Sequence, residues 1–192
     1  MIVCFGLTQD LARIRKIAQL CFFVEERVGF RGGNFLLGGR NSHDRSLALG
    51  ITAGYRVFVC ENGAFSGDYT PVMRKHTRNF NLNNVLSVGI GNILRNFEPM
   101  VQDIQRWRET MITDVNAKLC IYEAFVEEAT DLPKHLMRPT HDLYFHPQHE
   151  EFPPGNVWSL QNAFTGAIKT LDPIPQQRAV VNIGEYFQKH KL

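Results

Sequence analysis

The sequence predicts an α+β fold: an antiparallel sheet of about four strands in the first 80 residues, followed by a helical C-terminal half, in a single domain spanning 1–192. Three observations carry this. Period-2 alternation and glycine-rich turns fill the front of the chain. At about Leu82 the apolar spacing changes to steps of three and four, the helical period. And 192 residues that are 44% hydrophobic and 21% charged, with 14 Phe, suit one packed domain and exclude a disordered chain.

The elements follow in order. Thr8 can cap a short helix that carries Leu11, Ile14, Ile17 and Ala18 on one face. Leu20–Val28 is rich in Phe and Val and reads as a strand. Arg31-Gly32-Gly33-Asn34 is a turn, and Phe35–Leu37 resumes the apolar run, which predicts a hairpin. Ser46–Thr52 alternates Leu47, Leu49 and Ile51; Arg56–Cys60 is a further strand ending at Glu61-Asn62-Gly63; Val72–Thr77 is another. From Leu82 the series Leu86, Ile90, Ile93, Phe97, Ile104, Trp107 and Met111 predicts a helix of about seven turns. Pro99 lies inside it, so a kink or break is expected near Asn96–Glu98. Thr113 or Asp114 can cap a second helix with Ala117, Leu119, Ile121 and Phe125. Five prolines between 130 and 155 predict an irregular connection. Asn156 can cap a third helix with Leu160, Ala163, Phe164 and Ile168, and a last helix runs from about Pro175 to His190.

Several function classes drop out. No apolar stretch approaches the length of a membrane span, and Met1–Gly6 is too short for the core of a secretory leader, so a cytoplasmic protein with no membrane partner is expected. Cys4, Cys21, Cys60 and Cys120 are widely spaced with no CxxC pair; they read as small buried hydrophobes in a reducing compartment.

Net charge is only +2, but it is unevenly distributed. Residues 1–80 hold eleven Lys and Arg against six Asp and Glu, whereas 81–192 hold ten against thirteen. A basic front half points weakly to an anionic partner. It contains the two densest polar clusters, Arg40-Asn41-Ser42-His43-Asp44-Arg45-Ser46 and Arg74-Lys75-His76-Thr77-Arg78. Brought together, Arg40, His43, Arg45, Lys75, His76 and Arg78 could grip phosphate oxygens by charge-assisted hydrogen bonds. Asn41, Ser42, Asp44 and Asn62 would shape the turns that present them. Turn chemistry and a solvated basic face account for the same residues without any ligand.

These residues carry a resemblance. Gly39-Arg40-Asn41-Ser42-His43-Asp44-x-Ser46, Gly54-x-x-Val57-Phe58-Val59-Cys60-x-Asn62, Phe65-Ser66-Gly67 and Lys75-His76-Thr77 resemble, in order, the motif series of the phage/plasmid-like family catalogued as domain of unknown function 932. Trp158-Ser159-Leu160-Gln161-Asn162-Ala163-Phe164-Thr165 resembles that family's C-terminal helix motif. Gly39 and Gly63 stand where members often have Leu, and many members carry a longer front region. The resemblance implies a mobile-element origin and brings no activity with it.

Three patterns count for less. His141, His146 and His149, with Asp142, Glu150 and Glu151, include metal-ligand types, but Pro147 interrupts the helix that a His-Glu-x-x-His arrangement requires. Ser42-His43-Asp44 are adjacent, and neighbours on a strand point to opposite faces. Gly89-x-Gly91 lacks the preceding strand and third glycine of a dinucleotide loop.

The reading that follows is a nucleic-acid-associated protein that holds a single strand by phosphate contacts and by stacking on Phe65, Tyr69 or Phe80. Against it stand an enzyme or sequestering protein for a small phosphorylated ligand such as a nucleotide, and an assembly protein that forms a homo-oligomer through the long helix. Whether a reaction occurs, and with which cofactor, does not follow from the sequence.

Overall fold

A computed structural model describes residues 2–5, 17–24, 33–42, 49–57, 63–64, 72–75, 81–127 and 129–189, with side chains described chiefly from 81 onward. The expected α+β class built on about four antiparallel strands is overturned. Over the residues whose side chains are described, 71% are helical, with a single short strand stretch and no sheet. That stretch, 49–51, contributes Ile51 and the half-buried Leu49 to a core otherwise made by helices and the loops between them. The physical reason lies in the sequence itself: three-and-four spacing runs through more than half the chain, so most of the described apolar burial is helical.

Ahead of residue 80 the backbone pairs six strands rather than four. They are β1 (Ile2–Phe5), β2 (Ile17–Val24), β3 (Gly33–Ser42), β4 (Leu49–Val57), β5 (Gly63–Ala64) and β6 (Val72–Arg74). All pairings are antiparallel, in the order β1-β2-β3-β4-β5, with β6 also on β4. Ile17 and Ala18, expected on a helix, belong to β2, and Gly33 and Asn34, expected in a turn, start β3. The segments read as two strands, Ser46–Thr52 and Arg56–Cys60, both contribute to a single continuous strand, β4. Gly54, between those two segments, lies inside it opposite Leu36.

The helical body starts at α1 (Leu82–Glu109), where the Asn81 side chain accepts from the Asn84 amide at 3.1 Å. The break expected near Asn96–Glu98 is absent: α1 continues through Pro99. Pro99 is exposed, so water can reach the carbonyl left without its helical donor. The end is earlier than predicted, however. The Thr110 hydroxyl turns back to the Arg106 carbonyl at 2.8 Å, and Met111 lies outside the helix, 77% exposed.

Helix α2 (Asp114–Phe125) has the expected Thr113 cap, whose hydroxyl accepts from the Asn116 amide. Ala117, Ile121 and Phe125 are buried as expected, together with Cys120 and Ala124; Leu119 is not. The helix has apolar residues on two faces, and the one with Ala117, Cys120, Ile121, Ala124 and Phe125 packs inward. That leaves Val115, Leu119, Tyr122 and Val126 as an exposed stripe.

The region read as an irregular connection contains a 3-10 turn, Lys134–Leu136, and α3 (Met137–Phe145). Pro139 is compatible because it stands in the first turn, where amides have no intrahelical acceptor to lose. Helix α4 (Val157–Ala167) carries its predicted cap, Asn156 Oδ1 accepting from the Ser159 amide at 2.8 Å. After a 3-10 turn, Ile168–Thr170, α5 (Pro173–Lys189) closes the body.

Helix α4 is the central element. Every residue in it except Gly166 is buried. Phe164 stacks on Phe125 of α2 at 5.5 Å and meets Phe187 of α5 edge-on at 5.5 Å, while Trp107 of α1 meets the same Phe187 at 6.1 Å. These aromatic contacts tie four helices together, each adding about 0.5–1.5 kcal/mol beyond area burial. Gly155 holds the entry to α4 with φ +113°, a conformation that suits glycine. Its amide donates to the Tyr144 hydroxyl at 2.9 Å, and its carbonyl accepts from Ile112. Gly89 of α1 makes the close approach to β4: a Cβ there would lie 3.0 Å from Ile51 Cδ1.

Candidate functional site

Helices α3 and α4 face one another across a cleft of about 510 Å³. The helical period builds both walls: Pro139, Asp142 and Leu143 form one stripe of α3, continued by His146 just past its end, and Ser159, Asn162, Ala163 and Gly166 form one stripe of α4. The α4 stripe is made of small side chains, which leaves space where bulkier ones would close the interface. His149 and Phe152, whose rings meet edge-on at 6.4 Å, finish one end. Asp142, His146 and Lys169 are positioned at the rim.

The polar chemistry of the floor is unusual. Ser159 is 2% exposed and Asn162 4%, yet Ser159 Oγ and Asn162 Oδ1 have no hydrogen-bond partner. The Asn162 amide is oriented by its own helix, since Nδ2 donates to the Trp158 carbonyl at 2.8 Å; the oxygen is therefore the end left over. Leaving such a group buried and unpaired costs about 1–3 kcal/mol. Thr165, also buried on α4, is satisfied by the Asn162 carbonyl at 3.1 Å, so the shortfall falls on particular atoms and not on the whole helix. Trp107 Nε1 and Gln161 Oε1 share the shortfall but do not line this cleft.

Away from the cleft, the Tyr186 hydroxyl lies 3.1 Å from the Cys120 carbonyl and 3.2 Å from Glu123 Oε2. Burial pushes the ionisation of Tyr186 far up, with Cys120 and Glu123 adding to it; burial likewise raises the Tyr144 hydroxyl and the Cys120 thiol. Cys120 is a buried free cysteine, as the sequence suggests. These groups are structural: each is packed among helices.

The residues chosen from sequence are only partly described. Arg40, Asn41 and Ser42 form the last three positions of β3, opposite Gln19, Ala18 and Ile17 of β2. Lys75 follows β6 and is exposed. His43, Asp44, Arg45, Asn62, His76 and Arg78 lie outside the described residues. The strand register nevertheless relates the two basic stretches. Arg40 pairs with Gly50 of β4 on one side, and Met73 pairs with the same Gly50 on the other. Both β3 and β6 run antiparallel to β4, so their C-terminal ends lie together at the start of β4, with backbones about 10 Å apart at the usual strand spacing.

Of the histidine cluster, His146 and His149 border the cleft, whereas His141 packs on Phe145 at 4.6 Å. Among the described residues, no three His, Cys, Asp or Glu side chains come together as a metal site needs. Gly89-x-Gly91 serves packing at Gly89, and a Cβ at Gly91 would meet nothing within 4 Å. Among the described residues no helix is long and apolar enough to cross a membrane.

The cleft residues Ser159 and Asn162 were not among the candidates read from sequence. Their signal is four polar residues, Ser159, Gln161, Asn162 and Thr165, interleaved with Val157, Trp158, Leu160, Ala163 and Phe164 in one helix. They also fall within the stretch 158–165 that carries the resemblance to the family's C-terminal motif. Comparison with known proteins agrees on the family: a family model described as "Domain of unknown function (DUF932)" matches residues 34–182. No curated protein and no solved structure matches the chain.

Proposed function

Because the chain belongs to the domain of unknown function 932 family, whose description assigns no activity, we propose from its own residues that it associates with nucleic acid through phosphate contacts of its basic front half. The observation that carries this reading is the strand register, with Arg40 and Met73 flanking Gly50 and Lys75 exposed two residues further on. Arg40 and the Arg74-Lys75 pair, far apart in sequence, then stand at one end of the paired strands, and a phosphate backbone is a ligand that matches such a set of cations. Single-stranded DNA or RNA suits such a surface best, since it can follow an irregular line of charges. To this reading the motif resemblance adds a phage or plasmid origin, with action in the cytoplasm.

The test is retention of labelled single-stranded oligonucleotides over a salt series. Binding at about 50 mM salt that weakens steeply by about 200 mM is expected, and the paired change Arg40→Ala with Lys75→Ala should lower the slope by about one unit per lost phosphate contact. No retention at the lower salt overturns the reading. If only mononucleotides shift the melting temperature, the same cations serve a small phosphorylated ligand instead.

A further inference from the structure

We propose that the α3–α4 cleft is a second binding site, independent of the cationic stretches, and that it takes a nucleobase: a flat, uncharged ring with N–H donors along one edge. Ser159 and Asn162 are buried and line the cleft floor, and each has an oxygen without a partner. Because Asn162 Nδ2 is committed to the Trp158 carbonyl, the ligand must present a donor to Oδ1; the Ser159 hydroxyl can either give or accept.

The two residues stand three apart on α4, so their side chains are neighbours about 5–6 Å apart at Cβ and can both address one ligand. Pro139, Leu143 and Phe152 add apolar surface to walls that also carry Gln148, His149 and Thr170. At about 510 Å³ the cleft holds a base with its sugar. The rim bears both the Asp142 carboxylate, which lies 3.7 Å from Arg138, and the Lys169 ammonium, so its charge favours neither sign and the choice of ligand falls to the floor. An exocyclic amine is the donor common to adenine, guanine and cytosine, so these are the expected occupants and uracil is the poorest.

Titration calorimetry of the full chain with adenosine, guanosine, cytidine and uridine tests this directly. Saturable binding by at least one amine-bearing nucleoside is expected, with uridine weaker. Asn162→Leu removes the acceptor, and Gly166→Leu fills the cleft while leaving Asn162 in place; each should weaken binding at least tenfold, with folding checked by circular dichroism. A competition arm identifies the source of the base. If an oligonucleotide displaces the nucleoside, the cleft receives an unstacked base of a bound strand; if both bind together, it receives the free nucleoside. Because neutral nucleosides make no phosphate contact, this result is separable from failure of the cationic surface. Absence of nucleoside binding up to millimolar concentration, binding unchanged in both variants, or preference for simple sugars or amino acids overturns the proposal.

Discussion

Helices α4 and α2 break the inside–outside rule in opposite directions. The first buries Ser159, Gln161, Asn162 and Thr165; the second exposes Val115, Leu119, Tyr122 and Val126. A buried polar group without a partner costs free energy in the isolated protein, whereas an exposed apolar residue merely fails to contribute. The two departures therefore teach different things. The exposed stripe is compatible with a stable chain as it stands, but the orphaned oxygens of α4 need an explanation, and a cleft lies beside two of them.

Four substitutions sharpen or break that contrast. The largest effect is expected at Phe164→Ala, which removes the ring joining α2 and α5 on α4; about 3–5 kcal/mol should be lost in denaturant unfolding. A loss below about 1 kcal/mol would mean that α4 is not the centre of the core. Gly155→Ala should cost about 1–2 kcal/mol, because alanine must adopt the positive φ while the amide keeps its bond to Tyr144. Ser159→Ala is expected to run the other way, neutral or stabilising by up to about 1 kcal/mol, since it deletes an unsatisfied hydroxyl. Paired with weaker nucleoside binding, that gain would mark Ser159 as kept for a ligand at the expense of stability. Smallest of all, Leu119→Ser should leave the melting midpoint within the equivalent of about 0.5 kcal/mol, as the side chain already faces solvent. A clear loss there would show that the stripe is covered in solution, and a mass measurement would then identify a second copy.

Much of the helical body was legible in sequence, because caps and spacing state it locally. Thr113 and Asn156 each bond the third amide onward, as their residue types suggest. Position within an element was harder to read. Pro139 looked like a breaker and sits in a first turn; Pro99 looked like a breaker and is tolerated on an exposed face. Leu119 looked like core, but a helix apolar on two faces leaves the period two sides to choose between. The front failed at fold class, since alternation marks strands without saying how much of the core they supply. For the site, charge drew attention to Arg40 and Lys75. The polar residues of 158–165 were visible in sequence, but what singles out Asn162 is its burial and its missing partner, properties that depend on the surrounding helices.

The link between Met111 and Asn156 closes the helical body on itself. Ile112 donates to Gly155 and Val157 donates to Thr110, so the end of α1 and the start of α4 are joined as a short antiparallel bridge. Making it closes a loop of about 45 residues that contains all of α2 and α3, an entropic cost met only once the packing it permits is in place. The entry to α4, and with it one wall of the α3–α4 cleft, is therefore held by the end of α1 as well as by α3. A fragment holding α3 and α4 alone would carry every residue of the floor and still lack the site.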